Sequence, residues 1–180
     1  SMKTSRKGEM VMSKMIVVDP IECAGCRTCE MACSLVHHGA CGPSISNMRV
    51  VEWVRLGITV PMTCLQCEDP ICMKACKTGA ITRNVVTGAM LINEDVCVGC
   101  KMCMLVCPVG APHYSVAVGK MEKCDLCDGD PTCVKVCPTG AIKYVDAEDA
   151  PGDKRRDGAS LLVSDMLMKL KDYSPAVETL

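Results

Sequence analysis

The sequence has very few aromatic side chains with which to build a core: it contains no Phe, one Trp and three Tyr among 180 residues. Aromatic residues normally contribute much of the packing in a core of this size. The chain also has no apolar run long enough to span a bilayer. Its formal net charge of −1 gives no sign of nucleic-acid binding. Something other than aromatic packing must therefore fill the interior.

Motifs typical of enzymes and of exported proteins are missing as well. We find no G-x-G-x-x-G, no nucleophile–base set and no spare ligand set for a catalytic metal. Residues 1–14 are polar, without an apolar h-region or a twin arginine. We therefore expect a chain that is not an enzyme on its own and that works in a reducing compartment, the cytoplasm, with residues 1–14 as a flexible arm.

Cysteine is what the sequence has in abundance, with 17 residues in a repeating arrangement. An odd total and regular spacing argue against disulfides. Zinc sites would show paired C-x2–4-C knuckles rather than triplets with a trailing fourth cysteine. Cys41 stands apart and is interpreted as a buried or loop thiol. The other cysteines form group I (Cys23, Cys26, Cys29, Cys33), group II (Cys64, Cys67, Cys72, Cys76), group III (Cys97, Cys100, Cys103, Cys107) and group IV (Cys124, Cys127, Cys133, Cys137).

The spacing in groups I and III is C-x2-C-x2-C-x3-C, which indicates a [4Fe–4S] cubane site, and in group III Pro108 completes the signature. A short loop can wrap three corners of a cube but turns too tightly to reach the fourth. The fourth cysteine therefore serves a neighbouring cluster. Groups II and IV have longer middle gaps. The sequence predicts four [4Fe–4S] clusters, which replace part of the missing apolar core and couple folding to cluster binding.

The pairing of the groups follows from this crossover rule. Group II, a predicted hairpin and group III together look like one complete two-cluster ferredoxin, which leaves groups I and IV to pair across the chain. The rival pairing, group I with II and group III with IV, remains open. The preferred nested pairing, with each site named after the group that supplies three ligands, gives site I (Cys23, Cys26, Cys29 and Cys137), site II (Cys64, Cys67, Cys72 and Cys107), site III (Cys97, Cys100, Cys103 and Cys76) and site IV (Cys124, Cys127, Cys133 and Cys33).

The segments between the groups predict an α+β fold of two ferredoxin-like modules, built from short helices and β-hairpins and rich in loops. A strand is predicted at Met15–Asp19, a helix at Glu30–Val36, two strands within Met48–Val60, and a hairpin after each of groups II and III. The unit Cys-x-x-Gly-Ala recurs after Cys76, Cys107 and Cys137. The predicted domains are a double module over 15–145 (15–47 with 118–145, and 60–117), a linker over 146–158, and a helix and tail over 159–180.

Other segments and side chains of the sequence also allow interpretations, several of them with an alternative. The apolar C-terminal helix either docks on its own domain or binds a partner. His37, His38 and His113 are interpreted as turn or surface residues. Trp53 and Tyr114 are expected to fill the core, with a position near a cluster or at an interface as the alternative. The loops at 68–71 and 128–132 are interpreted as neutral insertions, with docking surfaces as the alternative. Seven basic residues either offset a charge of about −2 per cluster or are ordinary solvated side chains: Arg27, Lys74, Lys77, Lys101, Lys120, Lys123 and Lys135.

Residues 15–145 resemble a known family. The stretches TCLQCEDPICMKACKTGAI, CPVGAPHY and KMEKCDLC are similar to the four-cluster iron–sulfur subunits of the dimethyl sulfoxide reductase family. They are equally similar to the small electron-transfer subunits of tungsten aldehyde oxidoreductase-type enzymes, including class II benzoyl-CoA reductase. Lys77 and Ser34 stand where that family often has proline.

The resemblance implies an electron-transfer subunit that relays electrons through four clusters to or from a catalytic oxidoreductase subunit. The expected partner is a cytoplasmic tungsten or molybdenum enzyme, with a ferredoxin or flavoprotein as a further electron partner. A membrane span and nucleic acid are not expected. The alternative is a free soluble polyferredoxin.

Overall fold

The computed structural model describes residues 14–116 and 118–147. Every helix and strand in these residues is short, as expected for a chain that must return repeatedly to its cysteine groups. The strands are β1 (Lys14–Val18), β2 (Arg49–Trp53), β3 (Ile58–Met62), β4 (Ile81–Arg83), β5 (Met90–Ile92), β6 (His113–Ser115), β7 (Lys120–Glu122) and β8 (Ile142–Asp146). The α-helices are α1 (Thr28–His38), α2 (Ile71–Ala75), α3 (Met102–Val106) and α4 (Thr132–Lys135), and 3-10 turns cover Pro43–Ile45, Val54–Leu56 and Leu126–Gly129.

Three of the sheets are antiparallel hairpins, β2–β3, β4–β5 and β6–β7. All three lie where the sequence predicts them. Gly57 and Gly88 occupy the first two turns with φ of 64° and 73°, in the left-handed region that glycine adopts without steric cost. Each hairpin returns the chain to the start of the next cysteine group.

The fourth sheet joins the two ends of the described region. β1 runs antiparallel to β8, with Ile16 opposite Tyr144. The N–H of Asp19 donates to the carbonyl of Ala141 at 2.7 Å and extends the pairing. Strand β1 confirms the predicted strand, but it begins at Lys14, inside the predicted arm. Strand β8 runs to Asp146, inside the predicted linker.

Helix α1 is longer than the predicted helix. It continues through both histidines to Gly39, whose φ of 66° and N–H bond to the Leu35 carbonyl end the helix with a left-handed cap. Helix α1 packs against α4, and α2 packs against α3. The helices of groups I and IV therefore meet, as do those of groups II and III.

The buried residues form two cores with methionine and aliphatic side chains in place of aromatics. The first core combines cysteines of groups I, II and IV with Ile16, Met48, Val50, Leu126 and Ile142. The second combines cysteines of groups II and III with Ala80, Ile81, Met90 and Met121.

The expectation that Trp53 fills the core is wrong, because its side chain is 41 % exposed on β2. Tyr114 does pack against the second core from its edge. Cysteine, methionine and aliphatic side chains therefore make up the buried part of both cores.

The mixture of short helices and hairpins confirms the predicted α+β class. The predicted arm up to residue 13, the linker from residue 148 and the C-terminal helix lie outside the described residues. Within residues 14–116 and 118–147, no helix has the length and apolar character needed to cross a bilayer. The division into two modules remains a prediction, and Cys64 of group II lies in the first core with groups I and IV.

Candidate iron–sulfur cluster sites

All four cysteine groups share one backbone feature. The residue before the second cysteine has a left-handed φ in each: Gly25 at 67°, Gln66 at 49°, Gly99 at 66° and Leu126 at 62°. A left-handed residue next to right-handed ones turns successive N–H groups toward one side and makes a concavity that binds anions, including iron–sulfur clusters. The repeated conformation therefore suits four negatively charged groups.

Two of these positions are not glycine, and a side chain in the left-handed region costs about 1–2 kcal/mol. The structure compensates differently at each. The Gln66 side chain donates to the Cys124 carbonyl at 3.0 Å and accepts from the Met90 N–H at 2.8 Å. Leu126 is completely buried in the first core. Sequence reasoning missed Gln66; the available signal was its place where groups I and III have glycine.

One cavity lies between groups I and IV and is lined by Cys23, Cys26, Cys29 and Cys137. The first three cysteines come from the loop and start of α1, and the fourth follows α4. These are the ligands predicted for site I.

A second cavity is lined by Cys33, Cys124, Cys127 and Cys133. Cys33 reaches it from α1, while the others come from group IV. Cys33 thus lies with group IV, which is the contact that the nested pairing requires. The chain's own donor set at both cavities, four sulfurs each, fits a cubane.

Groups II and III meet through α2 and α3. Burial raises the pKa of Cys72, and the charges of Cys64 and Cys107 are close enough to raise it further. Burial also raises the pKa of Cys103 to about 11, with contributions from the charges of Cys72, Cys97 and Cys100. Metal coordination is what would keep such buried thiols deprotonated.

Cys76 packs against the second core beside Cys72, Cys97 and Cys103. Cys107 therefore lies near Cys72 of group II, and Cys76 packs against the core that groups II and III share. Cys67 is exposed, and its carbonyl accepts a hydrogen bond from Arg83.

The cysteines of each group differ regularly in exposure. The third of each group is buried: Cys29, Cys72, Cys103 and Cys133. The second is exposed in groups I, II and III, at Cys26, Cys67 and Cys100. Each of these three sites therefore has one face in the core and one edge at the surface, which suits transfer of electrons to a neighbour.

The fourth cysteine of three groups sits in the repeated Cys-x-x-Gly-Ala unit, whose role the structure explains. Gly79, Gly110 and Gly140 have left-handed φ of 68°, 61° and 69°. This turn brings the Ala111 N–H to 3.4 Å from the Cys107 sulfur. The unit is therefore a device that turns peptide N–H groups toward sulfur.

Cys76 and Cys137 show the electrostatic effect of this unit. Burial works to raise the pKa of both thiols. Bonds from the following peptide N–H groups and from the hydroxyls of Thr78 and Thr139 outweigh it, so that both pKa values are lowered. Lowered thiol pKa values favour the thiolate that a metal requires.

Cys33 is the exception, because α1 continues past it and the Gly-Ala turn is absent. Burial again opposes the shift, but the side chains of His37 and Ser46 and the N–H groups of Asn47 and Met48 lower the pKa of Cys33. The surroundings of this thiolate thus come partly from side chains rather than from a repeated backbone turn.

Lys123 is a buried cation at the junction of groups II and IV, only 5 % exposed. Its Nζ donates to the carbonyls of Met90 and Cys124. In the part of the chain that the structure describes, no carboxylate forms an ion pair with it. An unpaired buried charge costs several kcal/mol, so the site calls for an anion. Burial raises the pKa of Cys72, and the Lys123 charge works against that rise.

Among the other basic residues, both interpretations occur: some side chains support a cluster loop, and others are ordinary solvated side chains. Lys120 donates to the Cys97 carbonyl at 2.6 Å and so supports a cluster loop. Lys74 pairs with Asp69 at 2.5 Å, and Lys135 pairs in the same way with Asp130. These pairs tie each longer loop to the helix that follows it, at exposed positions.

The interpretation of the three histidines as turn or surface residues is wrong. His37 and His38 are the last residues of α1 and His113 begins β6, and all three are partly buried. The Nε2 atoms of His38 and His113 lie 3.1 Å and 3.6 Å from Glu122 Oε2. His37 Nε2 lies 3.7 Å from the Cys127 sulfur.

Cys41 is exposed in the loop after α1, away from both cavities, as a loop thiol.

All 17 cysteines lie within the described residues and each is free. Thiols grouped in fours, in loops with inward N–H groups and beside the buried Lys123, define an iron–sulfur protein of the ferredoxin class. Residues 56–147 match the 4Fe-4S dicluster domain family, and the chain belongs to this family. Its cofactors are [4Fe–4S] clusters.

Curated relatives carry the resemblance inferred from the motifs. The chain is 44 % identical over 110 residues to the aliphatic sulfonate oxidoreductase, polyferredoxin-like subunit, of Pyrococcus furiosus, covering 61 % of this chain and 63 % of the relative. It is 35 % identical over 122 residues to one of the polypeptides of the anaerobic dimethyl sulfoxide reductase of Shigella flexneri, covering 60 % and 58 %. The chain thus spans about three fifths of the length of these relatives.

One polypeptide of a solved structure, the active site complex BamBC of benzoyl coenzyme A reductase, aligns with 88 % of this chain. The alignment covers 96 % of the length of that polypeptide. The identity is 25 % and the TM-score is 0.45.

Proposed function

We propose that this chain relays electrons through four [4Fe–4S] clusters as the iron–sulfur subunit of an oxidoreductase complex. The observation that carries the proposal is the lining of the two cavities. Each holds three cysteines of one group and the fourth cysteine of a group far along the chain. This crossover is the arrangement by which ferredoxin-type loops complete two cubanes.

The ligands in this proposal are the grouped cysteines in the nested pairing, sites I to IV. The cavities support sites I and IV directly. Sites II and III rest on the proximity of Cys107 to Cys72 and of Cys76 to Cys97 and Cys103. The two ferredoxin-like modules then correspond to group I with group IV and to group II with group III.

Electrostatic effects between cysteines of different groups support a linear order of the four sites. Burial raises the pKa of Cys133, Cys124 and Cys103, and in each case a cysteine of another group adds to the rise. These neighbours are Cys29 of group I for Cys133, Cys64 of group II for Cys124, and Cys72 of group II for Cys103. The order is therefore site I, site IV, site II, site III, and electrons travel along it in either direction.

Catalysis in this proposal belongs to a separate subunit of the tungsten or molybdenum type, working in the cytoplasm. Free thiols throughout and oxygen-sensitive clusters suit a reducing compartment. The relatives are named as parts of sulfonate and dimethyl sulfoxide enzymes, which supports a bound role over a free polyferredoxin. A ferredoxin or flavoprotein would serve the other end of the chain of clusters.

The first test is iron and acid-labile sulfide content of the protein purified without oxygen. About sixteen of each per chain are expected for four cubanes. About eight would leave only one pair of sites filled and contradict the four-cluster relay. Zinc in place of iron would overturn the proposal entirely.

The partner is tested by purification from the source organism under native conditions, followed by tungsten and molybdenum analysis. A larger subunit carrying either metal, in fixed ratio to the iron of four cubanes, supports the proposal. A four-cluster protein that purifies alone, with neither metal, favours the free polyferredoxin.

A further inference from the structure

His37 is a polar side chain that faces a cluster site and is not one of its predicted ligands. It lies one turn after Cys33 on α1, and residues four apart share a helix face. Both line the cavity that also holds Cys124, Cys127 and Cys133. Helix α1 thus presents a thiol and an imidazole to the same site.

The imidazole is within hydrogen-bonding reach of sulfur. His37 Nε2 lies 3.7 Å from the Cys127 Sγ and 3.5 Å from Asp125 Oδ1. That carboxylate oxygen already accepts the Cys127 N–H at 2.9 Å. Asp125 therefore orients both groups, and an N–H at Nε2 points into the space between the carboxylate and the sulfur.

Site IV lacks the device that supplies donors elsewhere. Cys76, Cys107 and Cys137 are each followed by the Gly-Ala turn that aims peptide N–H groups at sulfur. After Cys33 the chain stays helical to His38, where peptide N–H groups are used within the helix. A side-chain donor is what remains available from α1.

We propose that His37 donates a hydrogen bond from Nε2 to ligand sulfur at site IV and so sets the reduction potential of the cluster held there. A reduced cluster carries one more negative charge, so an N–H donor stabilises the reduced form more than the oxidised one. The donor therefore raises the potential of this cluster. The inference rests on the proposed four-cluster function and adds a regulator of one particular step in it.

The test is a potentiometric titration of the intact four-cluster protein at one pH, followed by EPR. In His37→Leu, one of the four midpoint potentials is expected to become more negative while the other three stay unchanged. In His37→Gln, which keeps an N–H donor, the shift is expected to be smaller. The matched control is His38→Leu, on the same helix but facing Glu122 at 3.1 Å, which should leave all four potentials unchanged.

Four unchanged potentials in a His37→Leu protein with its full iron content would overturn the proposal. Equal shifts in the Leu and Gln variants would do so too, because packing rather than the donor would then be responsible. Loss of about four irons in His37→Leu would overturn it by assigning His37 to holding the site together instead. A wild-type protein that lacks four clusters refutes the proposed function, a result distinct from each of these.

Discussion

Under the nested pairing, the inner pair of cysteine groups, II and III, and the outer pair, I and IV, would build similar sites from different chain topologies. In the inner pair, the β4–β5 hairpin alone separates the two groups. In the outer pair, groups II and III lie between the two groups in sequence. The β1–β8 sheet and the α1–α4 contact bring groups I and IV together. Closing a longer loop costs more entropy. Bringing the outer groups together therefore costs more entropy than bringing the inner groups together.

The two pairs also differ in how they surround the fourth cysteine. Both inner cysteines, Cys76 and Cys107, lie in the Gly-Ala turn with peptide donors. In the outer pair only Cys137 does, while Cys33 relies partly on side chains of His37 and Ser46. Identical cluster chemistry thus tolerates different sources of hydrogen bonds to sulfur. The difference provides a route to unequal potentials among otherwise all-cysteine sites.

The largest expected effects come from paired cysteine substitutions that test which groups share a site. Each cubane holds about four irons. Under the nested pairing, Cys33→Ala with Cys133→Ala removes a single cluster, about four irons, since both cysteines serve site IV. Cys33→Ala with Cys72→Ala removes two clusters, about eight irons. Iron analysis after anaerobic purification measures both.

The rival pairing reverses these two results, because Cys33 would then share a cluster with Cys72 and not with Cys133. Reversal would break the distinction between inner and outer pairs. The control is Cys41→Ala, an exposed thiol outside both cavities, which should lose no iron.

A smaller effect is expected from alanine substitutions at equivalent glycines in the two pairs. An alanine at Gly25 or Gly99 meets the left-handed cost of about 1–2 kcal/mol. At Gly99 the new Cβ would also lie 2.8 Å from the Gly119 carbonyl oxygen, which is backbone. At Gly25 it would lie 2.9 Å from the Thr59 methyl, which can rotate away. Gly99→Ala should therefore destabilise more than Gly25→Ala.

The measurement is the denaturant midpoint of the cluster-loaded proteins, followed by cluster absorbance without oxygen. The double variant Gly25→Ala with Thr59→Ala serves as the control for the outer clash and should recover part of the loss. Equal midpoints for the two glycine variants would contradict the backbone clash at Gly99.

Gln66 links the two pairs, since it bonds to the Cys124 carbonyl of group IV and to the Met90 N–H of β5. Gln66→Ala leaves the buried Met90 N–H without its acceptor, at a cost of about 1–3 kcal/mol. Gln66→Glu keeps that acceptor and should cost less than Gln66→Ala. Hydrogen exchange at the Met90 amide reports the contact directly; unchanged protection in Gln66→Ala would show that the bond contributes nothing.

The smallest expected effect is one that both pairs share. Lys74 with Asp69 in the inner pair and Lys135 with Asp130 in the outer pair are exposed ion pairs. Exposed pairs contribute about 0–1 kcal/mol. Lys74→Ala and Lys135→Ala should therefore lower the denaturant midpoint slightly and equally, with a smaller difference in high salt. A large effect at one of them would mark that loop as more than an insertion.

Local chemistry made much of this molecule predictable. Ligand spacing, the strand at Met15–Asp19 and the three hairpins are set by residues close in the chain, and the structure confirms the strand and the hairpins. The predictions for the histidines and Trp53 were wrong, because the burial of these side chains depends on partners distant in sequence. His38 and His113 both lie close to Glu122. The Trp53 side chain on β2 is not covered by another element among the described residues.

The sequence by itself determined the cofactor class, because the geometry of a cubane constrains three cysteines within one short loop. It also determined the Gly-Ala turns, whose function became evident from Cys107 and Ala111. Only the tertiary structure decided which helices meet, α1 with α4 and α2 with α3. Both pairings use the same local spacing, so the choice lies in long-range packing, in the β1–β8 register and in the α1–α4 contact. The same packing brings Lys123, Gln66 and His37 to sites whose cysteines lie in other segments.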